Sequence, residues 1–170
     1  MKLIAFTGLA GSGKTTAAKA LEDRNYRRYS FADPLRAMMK VLDIDLDGAT
    51  SEFKNTGHPH LCGRTPRYAL QRLGTEWGRQ MIGQSIWVDA TRRRLVQLLP
   101  HLNVVIDDCR FNDEAQMIRD LGGVVVCITR PGIKQMDHAS EAGIKTDLIN
   151  YWLSNHGTEA ELVKLVGRLV

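Results

Sequence analysis

The chain is expected to fold as a doubly wound α/β sheet of about five parallel strands with helices on both faces. Three features of its 170 residues carry that expectation. Asn103–Asp107 (NVVID) and Val124–Thr129 (VVVCIT) are unbroken apolar runs, the mark of strands buried on both faces. A helix-like stretch around Met117, Ile118 and Leu121 lies between them, as a parallel crossover requires. Strand-type and helix-type segments alternate along most of the chain, which is the pattern of an α/β layer architecture.

Leu3–Thr7 is a short apolar run ending at a glycine, and the stretch with Ala17, Ala18 and Leu21 that follows is compatible with helix. Tyr26–Phe31 reads as a second strand. Leu35, Met38, Met39 and Leu42 then recur at i, i+3, i+4 and i+7, and Pro34 suits the first turn of that helix. Asp43–Gly63 has no sustained periodicity and collects Asp, Gly, Ser, Asn and His, so it reads as a long loop or insertion. Leu70, Leu73, Trp77 and Met81 mark a helix after Pro66, and Leu95, Leu98 and Leu99 end another at Pro100. Tyr151–Leu153 is a weaker fifth strand. Thr158, with Glu161 three residues on, forms a capping box ahead of Leu162, Leu165, Val166 and Leu169.

Hydrophobic residues make up 44% of the chain and charged residues 25%, which excludes collagen-like, disordered and disulfide-scaffold classes. No apolar run approaches the roughly 20 residues that cross a bilayer, and no membrane partner is expected. LIAFTGLAG after Lys2 is broken by Thr7 and Gly8 and reads as a buried strand and turn rather than a secretory leader. Cys62, Cys109 and Cys127 are odd in number and unpaired in spacing, which suits a reducing compartment, the cytoplasm. The net charge of +4 suits anionic small molecules or nucleic acid without choosing between them.

Gly8-Leu9-Ala10-Gly11-Ser12-Gly13-Lys14-Thr15 matches G-x-x-x-x-G-K-[ST] in full, after an expected strand and before an expected helix. Glycines let successive backbone N–H groups curl around a phosphate, and the following helix adds the positive end of its dipole. Gly11, Ser12, Gly13, Lys14, Thr15 and Thr16 are therefore the candidate donor-nucleotide residues. Lys14 is expected between the β- and γ-phosphates of ATP, with the Thr15 hydroxyl on Mg²⁺. A hard cation prefers oxygen, so a carboxylate ending a buried strand is the natural second ligand. Asp108 is favoured for that place, with Asp107 the alternative because adjacent strand residues point in opposite directions. Arg36, Arg64, Arg67, Arg79, Arg110 and Arg130 follow strands or lie on the helical layer, and guanidinium forks hold phosphate oxygens bidentately.

Beyond the phosphate loop, Tyr29-Ser30-Phe31-Ala32-Asp33-Pro34-Leu35-Arg36 resembles the Asp-x-x-Arg segment after the second strand of nucleoside monophosphate kinases, and Asp107-Asp108-Cys109-Arg110-Phe111 resembles their next acceptor arginine. The similarity is to the bacteriophage-type deoxynucleoside monophosphate kinase family. It runs on through the segment from Leu70 to Arg79, Ile86-Trp87-Val88 and His138-Ala139-Ser140-Glu141, nearly the whole chain. It implies a P-loop kinase-type core (about 1–43 and 101–170), a helical acceptor-binding insertion (about 44–100) and a short lid (about 130–145) carrying Arg130 and Lys134. The reaction implied is ATP plus a deoxynucleoside monophosphate giving ADP and the diphosphate. Asp33, Arg36, Arg67, Gln71, Glu76 and Arg110 would hold the acceptor, while Lys14, Arg79, Arg110 and Arg130 would act on the transferring group. Asp33 could instead cap its helix or serve as base toward a hydroxyl. That last role would suit a kinase like the dephospho-coenzyme A or phosphomevalonate kinases, and a non-kinase NTP switch is the more distant alternative. The resemblance also implies a small-molecule partner without nucleic acid and a place in the cytoplasm, the host's for a phage protein. Monomer and homodimer are not distinguished.

Three weaker constellations have plainer readings. His58, His60 and Cys62 lack a fourth metal ligand and read as loop residues. Arg92-Arg93-Arg94 reads as a solvated helix face. Trp77, Trp87 and Tyr68 could stack on a base or pack in the core. Asn155-His156-Gly157-Thr158, after the last strand, lies where related kinases pass their backbone along the donor adenine.

Overall fold

The computed structural model describes residues 2–133 and 143–170. The chain divides into two compact units, one of residues 1–30 and 92–170, the other of residues 31–91.

Among the described residues of the first unit, five strands form one sheet: β1 (Leu3–Thr7), β2 (Tyr26–Tyr29), β3 (Asn103–Ile106), β4 (Val124–Thr129) and β5 (Tyr151–Ser154). Their order is β2-β3-β1-β4-β5, and every neighbouring pair is parallel. The apolar runs of β1, β3 and β4 place these strands at the centre, where neither face meets water. On one face Ile4, Phe6, Val105, Val126 and Ile128 pack against Ala17, Ala18 and Leu21 of α1 (Lys14–Glu22) and Leu162 and Val166 of α7 (Glu159–Val166). Residues of the opposite parity, such as Leu3, face the other side, where α6 (Asn112–Asp120) brings Ile118 against them. This doubly wound parallel sheet is the expected fold, and the capping box forms as expected. The Glu161 N–H donates to Thr158 Oγ1 at 3.3 Å, and the Thr158 N–H donates to Glu161 Oε2 at 2.7 Å.

Strand ends differ from expectation for one reason. β3 stops at Ile106, whose partner on β2 is Tyr29, so Ser30 and Phe31 have no neighbour to extend the ladder and Asp107 lies beyond the strand. Asp107 instead accepts from the Ser30 hydroxyl at 2.7 Å.

The second unit is helical. It holds α2 (Asp33–Lys40), α3 (Ser51–Asn55), α4 (Pro66–Arg72) and the first turns of α5 (Ile86–Leu98). Its small core joins Met39, Ile44 and Leu46 to Leu61, Ala69 and Leu70. The stretch from residue 43 to 63, expected to be irregular, contains α3 and a 3₁₀ turn at Pro59–Leu61. The helix expected through Leu70, Leu73, Trp77 and Met81 ends as α-helix at Arg72 and continues as a wider π-helix over Leu73–Ile82. Trp87 accounts for the wider turn. Its indole N–H donates to the Gly74 carbonyl at 2.8 Å, and its ring lies where a Cβ on Gly78 would sit, 2.5 Å from ring atoms. Drawing a helical carbonyl away to a side chain opens the i→i−4 ladder. α2, expected in the core segment 1–43, groups with this second unit.

Candidate active site

The phosphate loop is the connection between β1 and α1. Gly8, Gly11 and Gly13 all take left-handed backbone angles, with φ of 130°, 81° and 108°, which admit glycine at little cost. α1 starts directly at Lys14 with no side-chain cap and no acidic residue in its first turn. A helix start without a side-chain cap suits an anion, which the N-terminal end of the helix dipole attracts. Lys14 is only 7% exposed, and its ammonium donates to the Gly8 and Leu9 carbonyls at 2.7 Å each. The charge is thus folded over the loop it serves. Ser12 is buried, and its hydroxyl has no hydrogen-bond partner among the described residues.

Beside the loop lies a cavity of about 230 Å³ lined by Gly8, Ser12, Arg110, Arg130, Ile133 and Trp152, among others. Of the expected residues, Ser12, Arg110 and Arg130 thus share one cavity with the start of the phosphate loop. Cys127 also lines it, and burial pushes its thiol up, against the pull of the Lys14 charge, so it stays protonated at neutral pH. Glu114, 3% exposed, accepts from the Arg110 and Phe111 N–H groups at 2.8 and 3.1 Å, which fixes the backbone that carries Arg110.

Thr15 is exposed on the first turn of α1 and Asp108 is half-buried just past β3. Asp107 accepts from the Ser30 hydroxyl and lies 3.7 Å from the Arg28 guanidinium. No three His, Cys, Asp or Glu side chains gather into a metal-holding group among the described residues. Mg²⁺ needs none, since it is commonly held by one or two protein oxygens plus phosphate and water. An uncapped helix start, an unpartnered buried hydroxyl and oxygen ligands fit a magnesium nucleotide.

In the second unit, Arg36 pairs with Asp33 at 2.7 Å. Asp33 is the first residue of α2, with Ala32 at the cap position. Burial, then the charges of Arg36 and Arg67, hold the Lys54 ammonium below its ordinary range. Lys54 thus feels the charges of both Arg36 and Arg67, and Asp33 lies against Arg36. Lys54 was not among the expected residues, because it sits in a stretch without motif or periodicity. Arg67 and Gln71 are exposed on α4, and the Arg67 charge is one of the two that act on Lys54. Glu76 is drawn to Arg72 at 2.6 Å, while its other oxygen is buried without a hydrogen-bond partner among the described residues. Arg79 is 6% exposed and donates to the Gln84 carbonyl at 3.1 Å.

Trp87 is core, whereas Tyr68 and Trp77 are partly exposed, Tyr68 lying between the guanidinium groups of Arg64 and Arg72. Arg92 pairs with Asp120 at 3.2 Å on an exposed face. The Asn155 side chain is turned inward to the phosphate loop. Lys134 and His138–Glu141 lie outside the described residues, as does much of the expected lid.

Comparison with known proteins places these features in a family. Residues 64–166 match the family model for deoxynucleotide monophosphate kinase. A chain of Acanthamoeba polyphaga mimivirus that carries the same family name is 40% identical over 161 residues, 86% of this chain and 83% of that one. The deoxynucleoside-5'-monophosphate kinase of Escherichia phage T5 is 32% identical over 99 residues, 54% of this chain and 39% of the phage protein. The dephospho-CoA kinase of Campylobacter jejuni superposes with a TM-score of 0.55 at 14% identity, over 99% of this chain and 96% of that one, a likeness of fold. The chain belongs to the deoxynucleotide monophosphate kinase family.

Proposed function

We propose that this chain transfers the γ-phosphoryl group of ATP to a deoxynucleoside monophosphate by direct in-line displacement, releasing ADP and the deoxynucleoside diphosphate. The observation that carries the reading is the uncapped phosphate loop opening, with Arg110 and Arg130, on one cavity. Family membership supports the acceptor class.

The reaction is one of alignment and neutralisation. A phosphate monoester with a second pKa of about 6 is mostly dianionic at neutral pH and attacks without a general base. Lys14 and the amides of Gly11–Thr16 would hold the β- and γ-phosphates, while Arg110, Arg130 and Arg79 would meet the charge that spreads over the transferring group. Arg36, with Asp33 fixing its guanidinium, would grip the acceptor phosphate beside Arg67, and Gln71 and Glu76 would face the nucleoside. Thr15 and Asp108 would hold Mg²⁺, which draws charge from the β- and γ-oxygens when bound. Three free cysteines and the viral relatives support work in a cytoplasm, a host's for a viral protein. No helix among the described residues is long and apolar enough to cross a membrane.

A coupled ADP-release assay across deoxynucleoside monophosphates, ribonucleoside monophosphates and hydroxyl acceptors tests the reading. ADP release that rises with at least one deoxynucleoside monophosphate, and with no hydroxyl acceptor, is expected. ATP turnover indifferent to every monophosphate overturns it.

A further inference from the structure

We infer that Asn155 is a positioning residue for the donor phosphates: its buried amide holds the Ser12–Gly13 peptide so that the Gly13 N–H is presented to a bound phosphate. The inference rests on the proposed role of residues 8–15 as a nucleotide cradle. Asn155 follows β5 and is 6% exposed. Its own N–H donates to the carbonyl of Thr129, the last residue of β4, at 2.7 Å. Its side-chain Nδ2 donates to the Ser12 carbonyl at 2.9 Å, a bond between residues 143 positions apart. The side chain is thus tied at its base to the sheet and at its tip to the loop.

That bond fixes a direction as well as a distance. A trans peptide is planar, with its carbonyl and N–H pointing opposite ways. Holding the Ser12 carbonyl on Asn155 therefore turns the Gly13 N–H away from the packed side and toward the open side of the loop. The packed side leaves no room for slack. A Cβ on Gly13 would lie 2.8 Å from Asn155 Nδ2 and 2.7 Å from Leu162 Cδ2, and φ at Gly13 is +108°. Gly13 and Asn155 therefore fit as a pair, the glycine making space for the amide that orients it. Without that amide the Ser12 carbonyl is a buried acceptor with no side-chain donor. The peptide can then rotate toward the site, where an oxygen would meet the phosphate instead of a hydrogen.

The test uses the full chain and two variants. Asn155→Asp keeps the shape but sets an acceptor against the Ser12 carbonyl. Asn155→Ala removes the bond without adding charge, so the test stands if a buried carboxylate unfolds the first variant. Calorimetry should show MgADP binding weakened on the order of 10-fold in Asn155→Ala, and by more in a folded Asn155→Asp. The KM for ATP should rise in step while that for the acceptor stays within about twofold, a split that loss of stability alone does not produce. Variants that melt cooperatively and bind MgADP within about twofold of the parent overturn the inference. Because MgADP binding needs no acceptor, a parent that binds it yet phosphorylates no deoxynucleoside monophosphate overturns the proposed reaction alone. Weakened binding in the variants would then still support the role of Asn155.

Discussion

Lys54 is held among positive charges at some cost to the protein, and that gives it a signature separate from packing. Burial and the neighbouring Arg36 and Arg67 charges favour its neutral form, so its pKa in the folded chain lies below the ordinary lysine value of 10.5. The unfolded chain therefore binds more protons as pH rises from the folded pKa to 10.5, and stability increases through that window. Below the window both states are charged, and the repulsion is felt in full at neutral pH. In the proposed function an acceptor phosphate would reverse the balance by adding negative charge beside Lys54 and the two arginines. Lys54→Met is accordingly expected to melt at the same or a higher temperature than the parent at pH 7, and to raise the acceptor KM on the order of 10-fold with little change in the KM for ATP. Thermal melts with steady-state kinetics check both halves. A variant that is less stable with an unchanged acceptor KM would make Lys54 a structural residue. The sequence shows Arg36 through its Asp-x-x-Arg spacing. It shows nothing at Lys54, because a lone lysine in an aperiodic stretch becomes meaningful only once α3 and α4 have folded against each other.

Elements whose signals are local were legible, and those shaped by a distant side chain were not. The central strands could be read because burial on both faces leaves continuous apolar runs, and α7 because its capping box lies within four consecutive residues. The segment Leu73–Ile82 has a helical period, but its winding is set by Trp87, up to fourteen positions later, and periodicity carries no record of that. The wide turn therefore depends on Gly78 leaving space for an indole. Gly78→Ala would put a Cβ within 2.5–2.6 Å of Trp87 ring atoms. Overpacking of this kind costs about 1–3 kcal/mol. For a chain of this length that lowers the melting temperature by about 2–12 °C. A paired Trp87→Phe change would shrink the ring and should recover part of the loss. A Gly78→Ala variant as stable as the parent, in thermal or urea melts, would mean that the π-helix does not rely on that contact.

At the scale of the whole molecule, the residues proposed for the donor and acceptor phosphates fall in different compact units. The phosphate loop, Arg110 and Arg130 belong to the sheet unit, and Arg36, Lys54 and Arg67 to the helical one. The sheet unit was the easier to read, since its loop motif is contiguous and its strands are self-announcing. The unit boundary was harder, because α2 has the periodicity of any surface helix and only its contacts assign it to residues 31–91. This division predicts how ligands stabilise the protein. A ligand at about 100 times its Kd adds about 2.7 kcal/mol to the folded state, a shift of about 5–11 °C here. In the parent, MgADP and a deoxynucleoside monophosphate should each raise the melting temperature by an amount of that order. Lys14→Met should remove most of the MgADP shift and keep the monophosphate shift, because the lost charge touches only the donor phosphates. Arg36→Ala should do the reverse. Melting curves of three proteins with two ligands give six numbers, and the crossed pattern follows only if donor and acceptor phosphates are held by separate sets of cations. Should Arg36→Ala instead erase the MgADP shift, Arg36 would move to the donor side, and the acceptor would have to be sought among other cations.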